Sequence, residues 1–425
     1  MVENDKLIQN YTMTPVPLNK TVGGFGIGMI NGNLAFAVPG LITGLEIGTS
    51  LGIKESLVAF IFGGLILSIL GYITGLVGRY NRLTSYMTMK FVFGLKGANL
   101  ISFAFVLSLL GWYGVNIDLF SEVSLSLLER EFNYSPPVWL LEICLGVLIT
   151  TTTIWGFTLL ERVSNLFVPL LALILMYMLY QILTWQTVKH DPTFVPYELN
   201  FGEAVSAVVG SFIVSVVLMP DFTRYARTNK DTAISSFLPF LGLSSFVYIV
   251  SAMAGILLME SDVLNVMLTL GLGFFAFGLL IISSWTTNVV NLYSIGLGLN
   301  SVFTRVTEWK LVIIAGVLGT AASTLNLLNS FTDFLFSLAI IFTPVAAIYV
   351  IDFFVLNKMR IYQIETLVKI NNYNFSALTA WLFGVVATYV LNQNGISFTG
   401  VEAIDAFTVS SIVYWLLSQM RPRAN

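Results

Sequence analysis

The chain has 425 residues, of which 56% are hydrophobic and only 10% charged, and its formal net charge is -3. A soluble domain carries roughly 25% charged residues, so a mean hydropathy of +0.85 excludes a surface covered by water. The weak negative charge and the lack of any basic tract exclude nucleic acid as a partner.

The first twenty residues (MVENDKLIQNYTMTPVPLNK) are polar, with no apolar core ahead of a cleavage site, so no removable signal is expected. Residues 1–23 are read as a cytoplasmic tail. From Gly23 onward apolar stretches of about 20 residues recur, the length that crosses a hydrocarbon core of ~30 Å. Hydropathy places them at 24–49, 55–78, 96–127, 137–157, 163–185, 202–222, 232–259, 264–298, 310–328, 331–356, 375–392 and 403–420, about twelve in all. With the N-terminus inside, all of the twenty Lys and Arg except Lys54, Arg130 and Lys189 fall on the cytoplasmic side, and the C-terminus returns there. The lone cysteine, Cys144, lies in an apolar run and can form no disulfide within the chain; the lone histidine, His190, lies in a polar loop.

A broken helix in lipid leaves backbone groups without partners, so breaks are expected only where protein or a watery cavity covers them. The first stretch reads GNLAFAVPG with Pro39 and Gly40 at its middle, and the sixth reads GSFIVSVVLMP between Gly210 and Pro220. Proline removes a donor and frees main-chain oxygens, which are suited to a cation. Equal spacing from Ala37 to Trp112 and from Gly210 to Trp285 fits two repeats of five helices, and helices one and six would run in opposite directions, as inverted repeats require. The expected division is therefore 24–190 for helices one to five, 191–360 for six to ten, and 361–425 for the last two.

Two groups of residues stand out as able to bind. SSWTTN, Ser283 to Asn288, interrupts an apolar run, and Ser283, Thr286 and Thr287 share one helix face whose oxygens suit a small cation. The same hydroxyls could equally bond back to their own helix or hold neighbouring helices together. Trp112 in LLGWYGVN and Phe212 in GSFI lie in different stretches beside glycines, a combination able to stack a flat heterocycle, although most aromatics of such a chain serve packing. Asp118 is the candidate for a buried carboxylate. No phosphate-binding glycine loop, HExxH or Cys/His cluster occurs, so no enzyme and no cofactor is expected.

Taken in order, TPVPLNKT, GYITG, KFVFGLKGA, GWYGV, VVGSFI with PDFTRYAR, SSWTTN with LYSIGLGL, and TPVAAIYVIDFFVLNKMR resemble the bacterial cytosine permeases of the nucleobase-cation-symport-1 family. The resemblance implies an all-α integral membrane protein of the leucine-transporter fold, two inverted five-helix repeats plus two C-terminal helices, working by alternating access. It implies a base stacked between Trp112 and Phe212, with Ser211 and Ser283 reaching its edge. It implies sodium held by carbonyls of Asn33, Phe36, Ala37 and Ser283 and by the hydroxyls of Thr286 and Thr287. The chain departs from that pattern at Leu109, where the cytosine permeases have glutamine, at Val214, where they have serine, and at Ser283, where they have asparagine. A buried polar edge left without a partner costs ~1–3 kcal/mol, so a different heterocycle is expected, such as a hydroxymethylpyrimidine, a purine or a hydantoin-like ring, with Asn116 and Ser215 as replacement contacts.

The resulting expectation is a monomeric secondary transporter of the bacterial inner membrane that imports a flat heterocycle with sodium, a proton being the other coupling ion. An amino-acid or other polar-metabolite symporter on the same scaffold and a ligand sensor without transport are the rival readings.

Overall fold

The computed structural model describes residues 11–185, 198–260, 262–323 and 331–420, and among them the regular structure is helical. His190 and Lys189 lie outside the described residues. A strap over residues 11–23 leads into α1 (Gly24–Ala35), and α2 (Val38–Asn81) follows after a two-residue break. At ~1.5 Å per residue, the 44 residues of α2 would be far longer than a bilayer is thick. The chain solves this at Gly52, whose φ of 71° and ψ of 170° belong to a region open essentially to glycine alone. There α2 doubles back, so that the Ser56 hydroxyl donates to the Ile47 carbonyl at 3.0 Å across a separation that a straight helix would stretch to ~13 Å.

A short α3 (Ser85–Phe93) precedes α4 (Leu95–Phe132), α5 (Val138–Ile154) and α6 (Gly156–Thr184). Next come α7 (Phe201–Val217), the single turn α8 (Pro220–Thr223), α9 (Asn229–Phe237) and α10 (Ser244–Leu258), the last two joined by a π-helical turn at Leu238–Leu243. The chain continues through α11 (Val263–Thr269), α12 (Phe274–Val302), α13 (Glu308–Ala322) and α14 (Phe331–Val350), which runs into a π-helical turn at Ile351–Leu356, and then α15 (Phe375–Gln393) and α16 (Glu402–Gln419).

Eight helices among the described residues are long and apolar enough to cross a membrane, against about twelve stretches expected. The difference has local causes. α2 contains parts of two expected stretches, α5 and α13 have only 17 and 15 residues, and α16 carries Glu402 and Asp405 in its first turn. The stretch expected at 264–298 is likewise divided, since α11 turns at Gly271 and Gly273, both with positive φ, before α12 begins.

Burial sorts the helices by their neighbours. In α7, α12 and the span formed by α14 and its π-helical turn, 72% of the apolar window is buried, whereas in α15 it is 22% and in α6 33%. Leu382, Phe383, Val386 and Val390 of α15 and Leu166, Leu173 and Leu183 of α6 are exposed, as side chains facing lipid tails are. Within the bundle, small residues let helices approach closely. A Cβ at Gly48 of α2 would stand 2.5 Å from Ala252 Cα of α10. Cys144 sits exposed on the outer face of α5.

Candidate functional site

Both expected breaks exist, each just ahead of the proline that marks it. Helix one stops at Ala35 and resumes at Val38, the link being Phe36 (φ -88°, ψ 1°) and the extended Ala37 (φ -61°, ψ 145°). Pro39 is not the breaking point: it occupies the first turn of α2, where its missing N–H leaves no helix bond unmade. Helix six is unbroken at Gly210. That glycine instead admits α14, since a Cβ there would lie 2.3 Å from the Leu335 carbonyl oxygen. The break comes at Leu218 and Met219, just ahead of Pro220, which opens α8.

The two breaks meet at a cavity of about 50 Å³. At ~10–15 Å³ for each water, this is room for roughly three to five waters. Its walls include Leu34, Ala37, Pro39 and Gly40 from the helix-one break; Leu109, Trp112 and Asn116 from α4; Ser211, Phe212, Val214, Ser215, Leu218 and Phe222 from the helix-six break; and Thr287, Val290, Asn291 and Ser294 from α12. The sequence-predicted Leu109, Trp112, Asn116, Ser211, Phe212, Val214 and Ser215 thus border one space. Ser283 does not line it, and it turns its hydroxyl to Leu280 O at 3.1 Å. The Trp112 ring is held edge-on by Phe334 (centroids 5.4 Å), and Phe212 rests on Phe240 (5.8 Å) and Tyr248 (6.4 Å).

Among the described residues, no charged side chain lines the cavity. The hydroxyls of Ser211 and Ser215 spend their single hydrogens on the protein and turn acceptor oxygens to the space, while Asn116 and Asn291 each spend one of two amide hydrogens. The Asn116 amide nitrogen donates to Trp112 O at 2.8 Å, leaving Asn116 Oδ1 buried with no hydrogen-bond partner. The Asn291 nitrogen donates to Asn288 Oδ1 at 3.1 Å, and Asn288 in turn donates to Tyr113 O at 2.9 Å. The Ser211 hydroxyl donates to Ala207 O at 2.9 Å and the Ser215 hydroxyl to Asn31 Oδ1 at 3.0 Å. Such a wall complements a guest that presents N–H donors.

Of the expected cation ligands, Thr287 and Asn33 touch, the threonine hydroxyl lying 3.4 Å from the Asn33 carbonyl oxygen. Asn33 donates its side-chain nitrogen to Ser164 Oγ and keeps a buried Oδ1 without a partner. Phe36 and Ala37 form the break one turn on. Thr286 bonds back to Ile282 O at 2.9 Å and to Ser283 O at 3.3 Å. The hydroxyls of Ser283 and Thr286 therefore each bond back to their own helix, while their lone pairs stay available. All six candidates offer neutral oxygen, the donor type that hard cations take. Among the described residues no group of three or more His, Cys, Asp or Glu gathers to offer an alternative.

Asn291 and Ser294 were missed from sequence. Both continue the Thr287 face of α12 at i+4 and i+7, so extending the SSWTTN face by two turns finds them.

Comparison with known proteins agrees with this architecture. Residues 35–417 match the family described as permease for cytosine/purines, uracil, thiamine, allantoin. The chain is 27% identical over 416 residues to the cytosine permease of Escherichia coli (strain K12), covering 97% of this chain and 95% of that one. It is 24% identical over 372 residues to the hydantoin permease of Microbacterium maritypicum, covering 80% and 75%. Among solved structures, a nucleobase-cation-symport-1 family transporter in a closed conformation with bromovinylhydantoin bound superimposes with a TM-score of 0.85 at 18% identity, over 97% of this chain and 95% of that one. A Na+-coupled sialic acid symporter in a substrate-bound outward-open state has a TM-score of 0.68 at 13% identity, over 94% and 90%. With nearly its whole length matched, the chain belongs to the nucleobase-cation-symport-1 family of permeases for cytosine/purines, uracil, thiamine and allantoin.

Proposed function

We propose that this permease imports a neutral, flat, N–H-bearing heterocycle together with one sodium ion, as a monomer in the bacterial inner membrane with both termini in the cytoplasm. The observation that carries the reading is the meeting of two helix breaks at one cavity that is bordered by Trp112 and Phe212 and edged by the Thr287–Asn33 contact. In this reading the guest stacks between the two rings and turns its N–H groups toward Asn116 and Asn291, with Ser211, Ser215 and Ser294 alongside. Sodium takes carbonyls of Asn33, Phe36, Ala37 and Ser283 with the hydroxyls of Thr286 and Thr287, and it couples to the guest by favouring the state that accepts both. Its relatives include permeases for cytosine and hydantoin, which are rings of this class. Leu109 and Val214 place apolar surface where the cytosine permeases have amide and hydroxyl, which favours a guest less polar along that edge.

Alternating access would come from two inverted five-helix repeats, 24–190 and 191–360. One reciprocal contact supports them. A Cβ at Gly146 of α5 would lie 2.2 Å from Thr320 Oγ1 of α13, and a Cβ at Gly316 of α13 would lie 2.2 Å from Thr150 Oγ1 of α5. Residue i meeting j while j's counterpart meets i's is what a two-fold axis generates.

An amino-acid cargo fits less well, since among the described residues no Lys, Arg or His lines the cavity to meet its carboxylate. Reconstitution into liposomes tests the proposal: accumulation of a nucleobase or hydantoin driven by an inward sodium gradient is expected. A broad heterocycle panel with no accumulation, or uptake driven as well by a proton gradient alone, would overturn the cargo or the ion respectively.

A further inference from the structure

The floor of the cavity leads to a second layer of contacts. Phe222 and Ser294 are wall residues; Tyr293, next to Ser294, packs its ring 6.1 Å from that of Phe222. Beneath them lies Arg224, an arginine with no solvent exposure. Its Nε donates to Asp221 O at 2.9 Å, its Nη2 to the Tyr293 hydroxyl of α12 at 3.1 Å, and its Nη1 to the Tyr11 carbonyl of the strap at 2.9 Å. The strap is fastened on both sides of this arginine. Thr12 donates to Glu308 Oε2 at the start of α13 at 3.0 Å, and the Thr84 hydroxyl donates to Thr12 O at 3.4 Å. Val16 N donates to Arg82 O at 3.1 Å, and Val22 N to Tyr225 O at 2.8 Å. One buried guanidinium therefore joins the helix-six break, the middle of α12 and the strap, in line between the cavity and the face on which α1 begins.

Resting on the transport reading above, we infer that the strap over residues 11–22, latched by Arg224 to Tyr293 and by Thr12 to Glu308, is the inner gate, and that cargo is released only when it swings away from α12 and α13. Arg224 acts as a positioning residue: it touches no cargo and sets whether the floor is closed. Arg224 is fully buried, so pulling a partner away leaves a buried charge short of a hydrogen bond unless water enters. Opening the gate is the event that admits that water.

The test uses the full chain with Cys144→Ser, Thr12→Cys and Glu308→Cys, reconstituted and treated with a thiol-reactive linker whose two arms form reducible disulfides. Linking is expected to lower uptake at least tenfold in the double variant and in neither single one. Substrate Kd should stay within about twofold, and reduction should restore uptake. Full-rate uptake by the linked protein, or loss of binding along with transport, overturns the gate. A second measurement needs no cargo. In inside-out vesicles, Ser294→Cys should be labelled by a membrane-impermeant maleimide several-fold faster when Tyr293→Phe removes the latch acceptor, and an unchanged rate overturns the inference. Absence of uptake by the unlinked Cys144→Ser protein would instead sink the transport reading, while the labelling result still judges the gate.

Discussion

Thr287 and Trp112 sit on the same cavity and are expected to fail differently when truncated. Thr287→Ala removes a hydroxyl that meets the Asn33 carbonyl. One such neutral contact is worth ~0.5–1.5 kcal/mol, so the sodium concentration needed for half-maximal binding should rise about two- to thirteenfold, while cargo affinity at saturating sodium changes little. Trp112→Ala removes a stacking face worth ~0.5–1.5 kcal/mol beyond its area together with ~1.5–3 kcal/mol of burial. Cargo Kd should then rise at least about thirtyfold at any sodium concentration. Sodium-dependent binding isotherms of both variants separate the roles, and parallel losses in both would mean the roles are misassigned. On the proposed stacking, Asn291→Leu would leave a cargo N–H buried without an acceptor, at ~1–3 kcal/mol, and should weaken binding roughly five- to a hundredfold. N-methylated analogues, lacking that N–H, should lose much less.

Helix breaks show how much a sequence discloses of its own elements. That helices one and six break was legible from proline and glycine in apolar runs; where they break was not. Proline stabilises a first turn as readily as it ends a helix, so Pro39 and Pro220 mark the restart after each break, and the breaks fall just before them, at Phe36–Ala37 and at Leu218–Met219. Gly210 was misread because glycine signals both conformational freedom and close approach, and only coordinates reveal Leu335 O against it. The turn at Gly52 was legible as a gap between two apolar stretches but not as a continuation of one helix. These two glycines make opposite predictions. Gly52→Ala meets nothing within 4 Å and carries only the strain of its φ, ~1–3 kcal/mol, so it should lower thermal stability by a few degrees and leave binding intact. Gly210→Val drives a side chain into backbone beside Phe212, so stability and cargo affinity should fall together. Melting curves with and without cargo distinguish the two.

At the scale of the whole molecule, composition alone fixed the solvent and the ordered motifs fixed the family, because both are spread along the chain. The cavity was legible only in part. Leu109, Trp112, Asn116 and the helix-six residues came from motifs, but Asn291 and Ser294 lie in VVNLYS, where polar and apolar residues mingle without an evident break. Their place on the cavity wall depends on which way α12 faces, which only packing decides. The uncharged wall of the cavity has an electrical consequence. With the proposed neutral cargo, and no carboxylate among the described residues that line the cavity to balance sodium, each inward cycle would carry one net positive charge across the bilayer. Moving that charge is worth ~2.3 kcal/mol per 100 mV, roughly a fiftyfold gain in accumulation. A potassium diffusion potential, negative inside, should therefore drive uptake with sodium equal on both sides, and clamping the voltage at zero should stop it.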